Sequence, residues 1–195
     1  MMGLFNIHVD WNPDKPFNPI HGEFYQVEAV LPGGEKFSFC NEQLWHAPPC
    51  NSFILEGPTF TASPVAGLDA SGGFKIGLNH VEISFPDARI LLKSKKSGEA
   101  IMEYSPPSVR LDPILTGKRT AGLHGEFQVL DVKSGMKFQG KVSKMYRIKG
   151  DILDKEGNKV DYVEGDLFAG VFFKSSKKVY SILEGLIMIS CGSLD

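Results

Sequence analysis

The sequence lacks the features that mark disulfide-rich, membrane-spanning or nucleic-acid-binding proteins. Its 195 residues include three cysteines, Cys40, Cys50 and Cys191. This odd number, without C-x-x-C spacing, argues against a disulfide framework and favours a reducing compartment. With 21 basic and 23 acidic residues, no overall field attracts nucleic acid. No apolar run approaches the roughly 18 residues of a membrane span. We therefore expect a cytoplasmic protein, with at most transient peripheral membrane contact and no nucleic-acid partner.

Signatures of common catalytic and metal sites are also missing. No G-x-S-x-G nucleophile elbow occurs, and "LTGKRT" (115–120) keeps only the tail of a phosphate-binding loop, so we interpret it as a strand-linking basic turn. The five histidines are scattered and do not show metal-ligand spacing. We expect no metal and no cofactor.

What the sequence does contain predicts β-strands. Apolar and polar residues alternate with period two, and helical periodicity is weak; the alternating runs are 23–31, 80–85, 125–132 and 141–153. Turn-forming residues between such runs suit hairpins; they are Gly33-Gly34, Ser71-Gly72-Gly73, Pro86-Asp87, Ser97-Gly98, Ser134-Gly135 and Glu156-Gly157-Asn158. The sequence therefore predicts an all-β, antiparallel, meandering fold.

So many strands must stack as a sandwich or curl into a barrel. We favour a barrel in one domain spanning 1–195, because small residues such as Gly73, Gly77 and Ala88 allow sharp bends in a sheet. The cationic stretch 93–99 is interpreted as a solvated hairpin tip, with contact to a membrane surface as the alternative.

Two prolines stiffen the segment "KPFNPIHGEFY" (15–25). Each proline disfavours helix at the residue before it, so Lys15 and Asn18 are held extended and their side chains are pre-aimed. Gly22 lets the chain turn into the strand that Glu23 opens. Such a segment is either a stiff entry to the first strand or the rim of a pocket.

A second unusual segment, "NEQLWHAPPC" (41–50), sets a histidine between a tryptophan and two prolines. Taken in order, "KPFNPIHGE" and "EQLWHAPP" resemble the oxysterol-binding protein family, which carries Lys-Pro-Phe-Asn-Pro-x-x-Gly-Glu and then Glu-Gln-Val-Ser-His-His-Pro-Pro. Later stretches also resemble the strands of that family, so the similarity runs from about Lys15 to Leu167.

The resemblance implies an incomplete antiparallel β-barrel around an apolar central tunnel, with few short helices. The tunnel takes a sterol or another lipid, and many members also bind phosphatidylinositol 4-phosphate and shuttle lipids between membranes. By position, Lys15 would face the inositol phosphates and His46 would be the first of two histidines that contact the 4-phosphate.

This chain departs from the family pattern at the second histidine, where Ala47 stands. One lost donor to a charged group costs on the order of 1.5–3 kcal/mol, or about ten- to a hundredfold in affinity. We therefore expect phosphoinositide binding to be weak or lost. His21 and Trp45 replace a family aliphatic and a family small polar residue. We also expect a barrel without the full N-terminal lid and C-terminal helical segment of the family. Such a barrel leaves apolar surface uncovered, and self-association is one way to cover it.

Two hypotheses follow. In the first, the cavity binds or transfers a sterol-like or other isoprenoid lipid; the predicted ligand contacts are Lys15, Asn18, His21, Phe24, Trp45, His46, Ala47 and Phe53. In the second, the same cavity is an enzyme site that isomerises or cyclises a steroid- or terpenoid-like substrate. Its acid–base groups would be Glu23, Glu42 and His46, tuned by an apolar pocket.

Overall fold

The computed structural model describes residues 20–30, 33–47, 50–69, 74–112, 115, 120–166, 170–175 and 179–180. In this part of the chain every regular element is a strand. The strands are β1 (Phe24–Val30), β2 (Lys36–Trp45), β3 (Cys50–Glu56), β4 (Phe60–Pro64), β5 (Leu68–Asp69), β6 (Phe74–Ile76), β7 (Val81–Ile83), β8 (Ile90–Ser94), β9 (Ala100–Ser105), β10 (Ser108–Asp112), β11 (Thr120–Asp131), β12 (Lys137–Met145), β13 (Arg147–Leu153), β14 (Lys159–Asp166), β15 (Gly170–Phe173) and β16 (Val179–Tyr180).

These strands form one antiparallel sheet that does not close on itself. Its main path runs β1-β2-β3-β4-β8-β9-β11-β12-β13-β14-β15-β16, and four short strands branch from it. Three of these strands branch from β11, which is long: its second half pairs with β9, and its first half pairs with β10, which in turn pairs with β7, and β7 with β6. The fourth, β5, pairs with β3. The prediction of an all-β, antiparallel, incomplete barrel is confirmed, although no short helix occurs among the described residues.

Four of the predicted turns join paired neighbouring strands. Gly33-Gly34 lies between β1 and β2, Ser97-Gly98 between β8 and β9, Ser134-Gly135 between β11 and β12, and 156–158 between β13 and β14. One glycine in each turn has a positive φ, between 73° and 89°, a conformation that other residues adopt at a cost. The stretch 93–99 is a hairpin tip, as predicted.

Two predictions from the pattern were wrong. The run 141–153 is not one strand but two, β12 and β13, which pair from Lys137↔Leu153 to Ser143↔Arg147. Pro86-Asp87 does not close a hairpin, because β7 pairs with β10 and β6, whereas β8 pairs with β4 and β9. The turn predicted at Ser71-Gly72-Gly73 lies outside the described residues.

The core lies on one face of the sheet. Side chains alternate between the two faces along a strand. Phe39 of β2 and Phe53 of β3 lie on the same face, with their ring centroids 5.8 Å apart. Farther along the sheet, the ring of Phe127 packs against the rings of Tyr104 and Phe138, at centroid distances of 6.5 and 5.3 Å. Burial raises the pKa of the Tyr104 hydroxyl, because the ionised form would lose its hydration. This surface is called the apolar face below.

Candidate functional site

The two segments that carried the family resemblance meet in the structure. The amide of Gly22 donates to the carbonyl of Gln43 at 2.8 Å, and the amide of Gln43 donates to the carbonyl of Glu23 at 2.9 Å. The turn into β1 needs the positive φ of Gly22, 79°. Residues 20–25 and 41–47 therefore form one corner of the sheet, called the rim below.

Glu23 holds the turn at the start of the rim. Its amide donates to the carbonyl of Ile20 at 3.0 Å, and its carboxylate oxygen Oε2 accepts a hydrogen bond from the amide of Ile20 at 3.0 Å. A carboxylate in this arrangement braces the backbone, since it satisfies a donor that the turn leaves open.

His21 and Trp45 stack on each other across the rim. Their ring centroids lie 5.6 Å apart and the ring planes differ by 10°. Trp45 remains 62% exposed, so the outer side of its indole faces solvent. Two of the residues that depart from the family pattern, one before β1 and one at the end of β2, are therefore in contact in space.

The histidine expected at a phosphate lies on the connection between β2 and β3. His46 and Ala47 form a turn and both are exposed. Lys15, Asn18 and the two prolines after Ala47 lie outside the described residues. Whether these groups converge on one headgroup thus stays a prediction.

The acid–base hypothesis finds no support at the rim. Glu23, Glu42 and His46 are all exposed, whereas tuning a carboxyl for general acid catalysis needs an apolar, desolvated setting. The geometry places these groups at a surface.

Phe24 and Phe53, both expected to line the cavity, lie on opposite faces of the sheet. Phe24 pairs with Glu42, which pairs with Ser52; Phe53 pairs with Asn41, one residue along. Phe24 is 66% exposed and Phe53 is 5% exposed. One wall cannot contain both, and only Phe53 is on the apolar face.

Sequence reasoning missed a group of amide side chains on the apolar face next to the rim. Asn41, Gln43 and Asn51 share this face with Phe53, because Gln43 pairs with Asn51 and Asn41 with Phe53. Gln43 is 4% exposed, and its Nε2 donates to the carbonyl of Trp45. These three residues are called the amide cluster. Assigning alternate residues of "NEQLW" (41–45) and "CNSF" (50–53) to the same face as Phe53 would have placed these amides there.

Two concave surfaces occur elsewhere on the described sheet. A cavity of about 790 Å³ lies over the middle of β11–β13, lined by residues that include Gln128, Gln139, Lys141 and Lys149. A second, of about 410 Å³, lies at the ends of β12 and β13. Neither includes a rim residue, so the apolar tunnel stays a prediction. In the described part of the chain, no three His, Cys, Asp or Glu residues cluster closely enough to hold a metal ion, and no helix could cross a membrane.

Comparison with known proteins agrees with the family resemblance of the rim segments and with the open antiparallel sheet. The family model for oxysterol-binding protein matches residues 3–183, most of the chain. The chain belongs to the oxysterol-binding protein family.

Curated relatives of this oxysterol-binding protein family member are much longer. Oxysterol-binding protein-related protein 3C of Arabidopsis thaliana is 31% identical over 123 residues, 63% of this chain and 25% of that protein. The human oxysterol-binding protein-related proteins 6 and 2 are 26% and 28% identical, over 81% and 77% of this chain. The chain spans 17–32% of the length of these relatives.

Solved structures show the same fold. The Osh3 ORD of Saccharomyces cerevisiae, crystallised with PI(4)P, superposes with a TM-score of 0.62 at 20% identity and covers 85% of this chain and 44% of that one. The Osh1 ORD domain with ergosterol gives 0.59 at 20% identity, covering 86% and 41%. At 20% identity, the similarity to these structures shows the fold of this family member and nothing further.

Proposed function

We propose that the chain binds a sterol-like or other isoprenoid lipid on its apolar face and carries it between membranes. The observation behind this proposal is an apolar face that ends in the amide cluster directly beneath the rim. A surface that is apolar over most of its length and polar at one end suits a molecule with one polar group and a long hydrocarbon body.

The energetics favour such a ligand. Burying several hundred square ångströms of hydrocarbon at about 25 cal/mol per Å² gives a large gross gain, from which the costs of ordering are subtracted. The neighbouring structures support the proposal, since one holds PI(4)P and others hold ergosterol or cholesterol.

The rim does not favour a phosphomonoester headgroup. A phosphate that leaves water needs several charged or directed donors, and Ala47 removes one imidazole from the rim. We infer that the apolar body of the ligand, and not a phosphorylated headgroup, supplies most of the affinity.

The first test is direct. The purified chain is incubated with a lipid extract, washed and analysed by native mass spectrometry, and then assayed for sterol transfer between donor and acceptor vesicles. We expect one apolar lipid per chain and accelerated transfer. A preparation that retains no apolar lipid contradicts the proposal.

Two adjacent residues of β3 offer a matched pair of variants. Leu55 lies on the apolar face beside Phe39, whereas Ile54 lies on the other face and is 43% exposed. Leu55→Ala should weaken lipid retention, and Ile54→Ala should leave it unchanged. Equal effects would mean that the lipid does not occupy this face.

A further inference from the structure

Asp161 of β14 and Ser175, on the turn after β15, are joined by two hydrogen bonds. The hydroxyl of Ser175 donates to Asp161 Oδ2 at 2.5 Å, and the amide of Ser175 donates to Asp161 Oδ1 at 2.9 Å. The two residues are 14 positions apart in the sequence, so this contact joins two strands and is not part of a local turn. It is called the clasp below.

The clasp fixes the end of β15. The pairing of β14 with β15 ends at Val163↔Phe173. Beyond that pair the amide of Lys174 donates to the carbonyl of Tyr162 at 3.0 Å, and the clasp follows. Both contacts lie on the turn through which the chain leaves β15 toward β16. Loss of the clasp would therefore free β15 from this end.

The clasp borders a small apolar cluster that is separate from the main core. Asp161 pairs directly with Ile152, which belongs to this cluster. Its members are the buried residues Val163 and Val171, with Phe138, Ile152 and Phe173 packed against them. In the described part of the chain it holds far fewer buried residues than the main cluster. A region with so little buried apolar surface opens locally more easily than the rest of a fold.

The sequence around Ser175 suits a kinase with an acidic substrate groove. Lys174 precedes the serine, and Lys177 and Lys178 follow it closely. Kinases select their substrates by such charge patterns. Ser175 is exposed, so a kinase can reach its hydroxyl whenever the clasp opens.

We propose that Ser175 is a phosphorylation site and that its modification releases the end of β15 from β14. The kinase supplies a nucleoside triphosphate. The Ser175 oxygen bonds to the γ-phosphorus while the bond from that phosphorus to the bridging oxygen of the β-phosphate breaks. The nucleoside diphosphate leaves, and the serine proton passes to the catalytic base of the kinase.

The modified serine cannot re-form its side-chain bond of the clasp. A phosphorylated oxygen has no proton to donate to Asp161, and the phosphate brings about −1.5 to −2 charges against that carboxylate. The ammonium of Lys159 is held by Asp151 at 2.5 Å, which limits how far it can offset the repulsion. Phosphorylation therefore shifts the population toward the open form of this edge.

The first experiment places phosphoserine at position 175 of the full chain by genetic encoding. Hydrogen exchange is then followed in the peptide that contains the amides of Lys174 and Ser175, both of which donate hydrogen bonds to β14. We expect these amides to exchange about fivefold faster than in the unmodified chain. Unchanged exchange would contradict the release of β15.

The matched control is phosphoserine at position 97, on the hairpin tip between β8 and β9. The Ser97 hydroxyl oxygen accepts from the amide of Glu99 at 3.3 Å, a contact within its own turn. Phosphate there should leave exchange at 174–175 unchanged. Equal acceleration by both modifications would mean that added charge loosens the whole sheet and that the clasp has no special role.

The second experiment tests whether the clasp guards the serine. The full chain is incubated with protein kinase C and ATP, and the modified residue is located by mass spectrometry. Asp161→Ala leaves the hydroxyl of Ser175 free, so its phosphorylation should be about fivefold faster than in the unmodified chain. Asp87→Ala, at an exposed aspartate on another turn, should leave the rate unchanged.

Phosphate found at other serines but never at Ser175 would exclude the site. Equal rates for Asp161→Ala and the unmodified chain would show that the clasp does not control access. Should Asp161→Ala not fold, the exchange measured with phosphoserine at position 175 still decides whether the modification opens β15.

Discussion

At the scale of single residues, the stack of His21 on Trp45 joins two departures from the family pattern. Each replacement alone would place an unusual side chain at the rim, and together they form a parallel ring pair at 5.6 Å. The pair connects the segment before β1 to the end of β2. Its members should therefore be coupled in stability.

A double-mutant cycle tests this coupling. We expect His21→Leu and Trp45→Ser to show a coupling free energy of about 0.5–1.5 kcal/mol, the range for aromatic pairs. Urea denaturation of both single variants and the double variant gives the value. The control cycle combines Trp45→Ser with His124→Leu on β11, whose effects should add within about 0.5 kcal/mol. Full additivity in the first cycle would mean that the stack contributes nothing to stability.

A histidine at position 47 should restore part of a phosphate site. Ala47 is exposed beside His46 on the turn after β2, so an imidazole there can donate a second hydrogen bond to a phosphomonoester. We expect Ala47→His to raise affinity for vesicles containing phosphatidylinositol 4-phosphate by about tenfold, measured by flotation.

The control for that variant is Val132→His, which places an imidazole on an exposed turn after β11. It should not change vesicle affinity. If Ala47→His also has no effect, the rim does not contact a phosphate.

The sequence predicted part of the rim and none of the amide cluster. The paired motifs identified Glu23, His21, Trp45 and His46 as one region because motif order is visible in a chain. The cluster could not be recognised from the sequence, since the proximity of Gln43 and Asn51 depends on the register between β2 and β3. Phe24 and Phe53 were grouped for their chemistry, whereas strand register decides their faces.

At the scale of strands and turns, hairpins were predictable where the turn needs glycine. Gly34, Gly98, Gly135 and Gly157 adopt positive φ angles, and each interrupts the alternation. The turn between β12 and β13 is at Tyr146, and neither it nor the two residues before it is glycine, proline or asparagine. Because no turn-forming residue interrupts the alternation there, the pattern alone predicts one strand over 141–153.

The glycine pair at the centre of β12 and β13 should tolerate no side chain. Gly140 and Gly150 pair directly, and a Cβ on Gly150 would lie 2.6 Å from the Cα of Gly140 and also against the carbonyl oxygen of Gln139. Backbone atoms cannot move aside cheaply, so we expect Gly150→Ala to destabilise the fold by about 1–3 kcal/mol, as measured in urea.

Gly33→Ala is the matched substitution, because a Cβ there meets only the tip of Glu35 at 4.0 Å. It should change stability by less than about 0.5 kcal/mol. Equal losses for the two variants would show that the close approach of β12 and β13 at Gly150 does not set the cost.

Turn carboxylates give the hairpins a dependence on pH. Asp154 accepts hydrogen bonds from Asn158, from its amide at 2.7 Å and from Nδ2 at 3.0 Å, and these bonds hold the pKa of Asp154 below the ordinary value of 3.8. The Ser175 hydroxyl similarly lowers the pKa of Asp161. Because the folded-state pKa is lowered, this stability is fully present above about pH 3.8 and is lost as the pH falls through the lowered pKa.

Asp154→Ala should therefore lower the melting temperature near neutral pH, and the difference from the unmodified chain should shrink as the solution is acidified below pH 3.8. Asp87→Ala, at an exposed aspartate on the turn after β7, is the control and should change the melting temperature little. A constant difference for Asp154→Ala would mean that its hydrogen bonds do not depend on ionisation.

At the scale of the whole molecule, the class of fold was predictable but the pairing was not. Alternation, glycine turns and the family resemblance were enough for an antiparallel, open barrel. The pairings of β4 with β8, β9 with β11 and β10 with β7 join strands separated by other strands or by long connections. The register between such strands depends on how side chains pack across the apolar face. The order of apolar and polar residues along the chain does not contain that information.

Because the sheet is open in the described part of the chain, a lipid on the apolar face should stabilise the entire fold. A ligand that binds only the folded state adds RT ln(1 + [L]/Kd), about 2.7 kcal/mol at a hundred times Kd. For a domain of this size each kcal/mol raises the melting temperature by about 2–4 °C, so a lipid at this saturating concentration should raise it by about 5–11 °C. The shift should be reduced in Leu55→Ala and kept in Ile54→Ala. It should also persist at high salt, because burial of hydrocarbon is not screened by ions. A shift that disappears as salt is added would instead mean that charged headgroup contacts at the rim provide the binding energy.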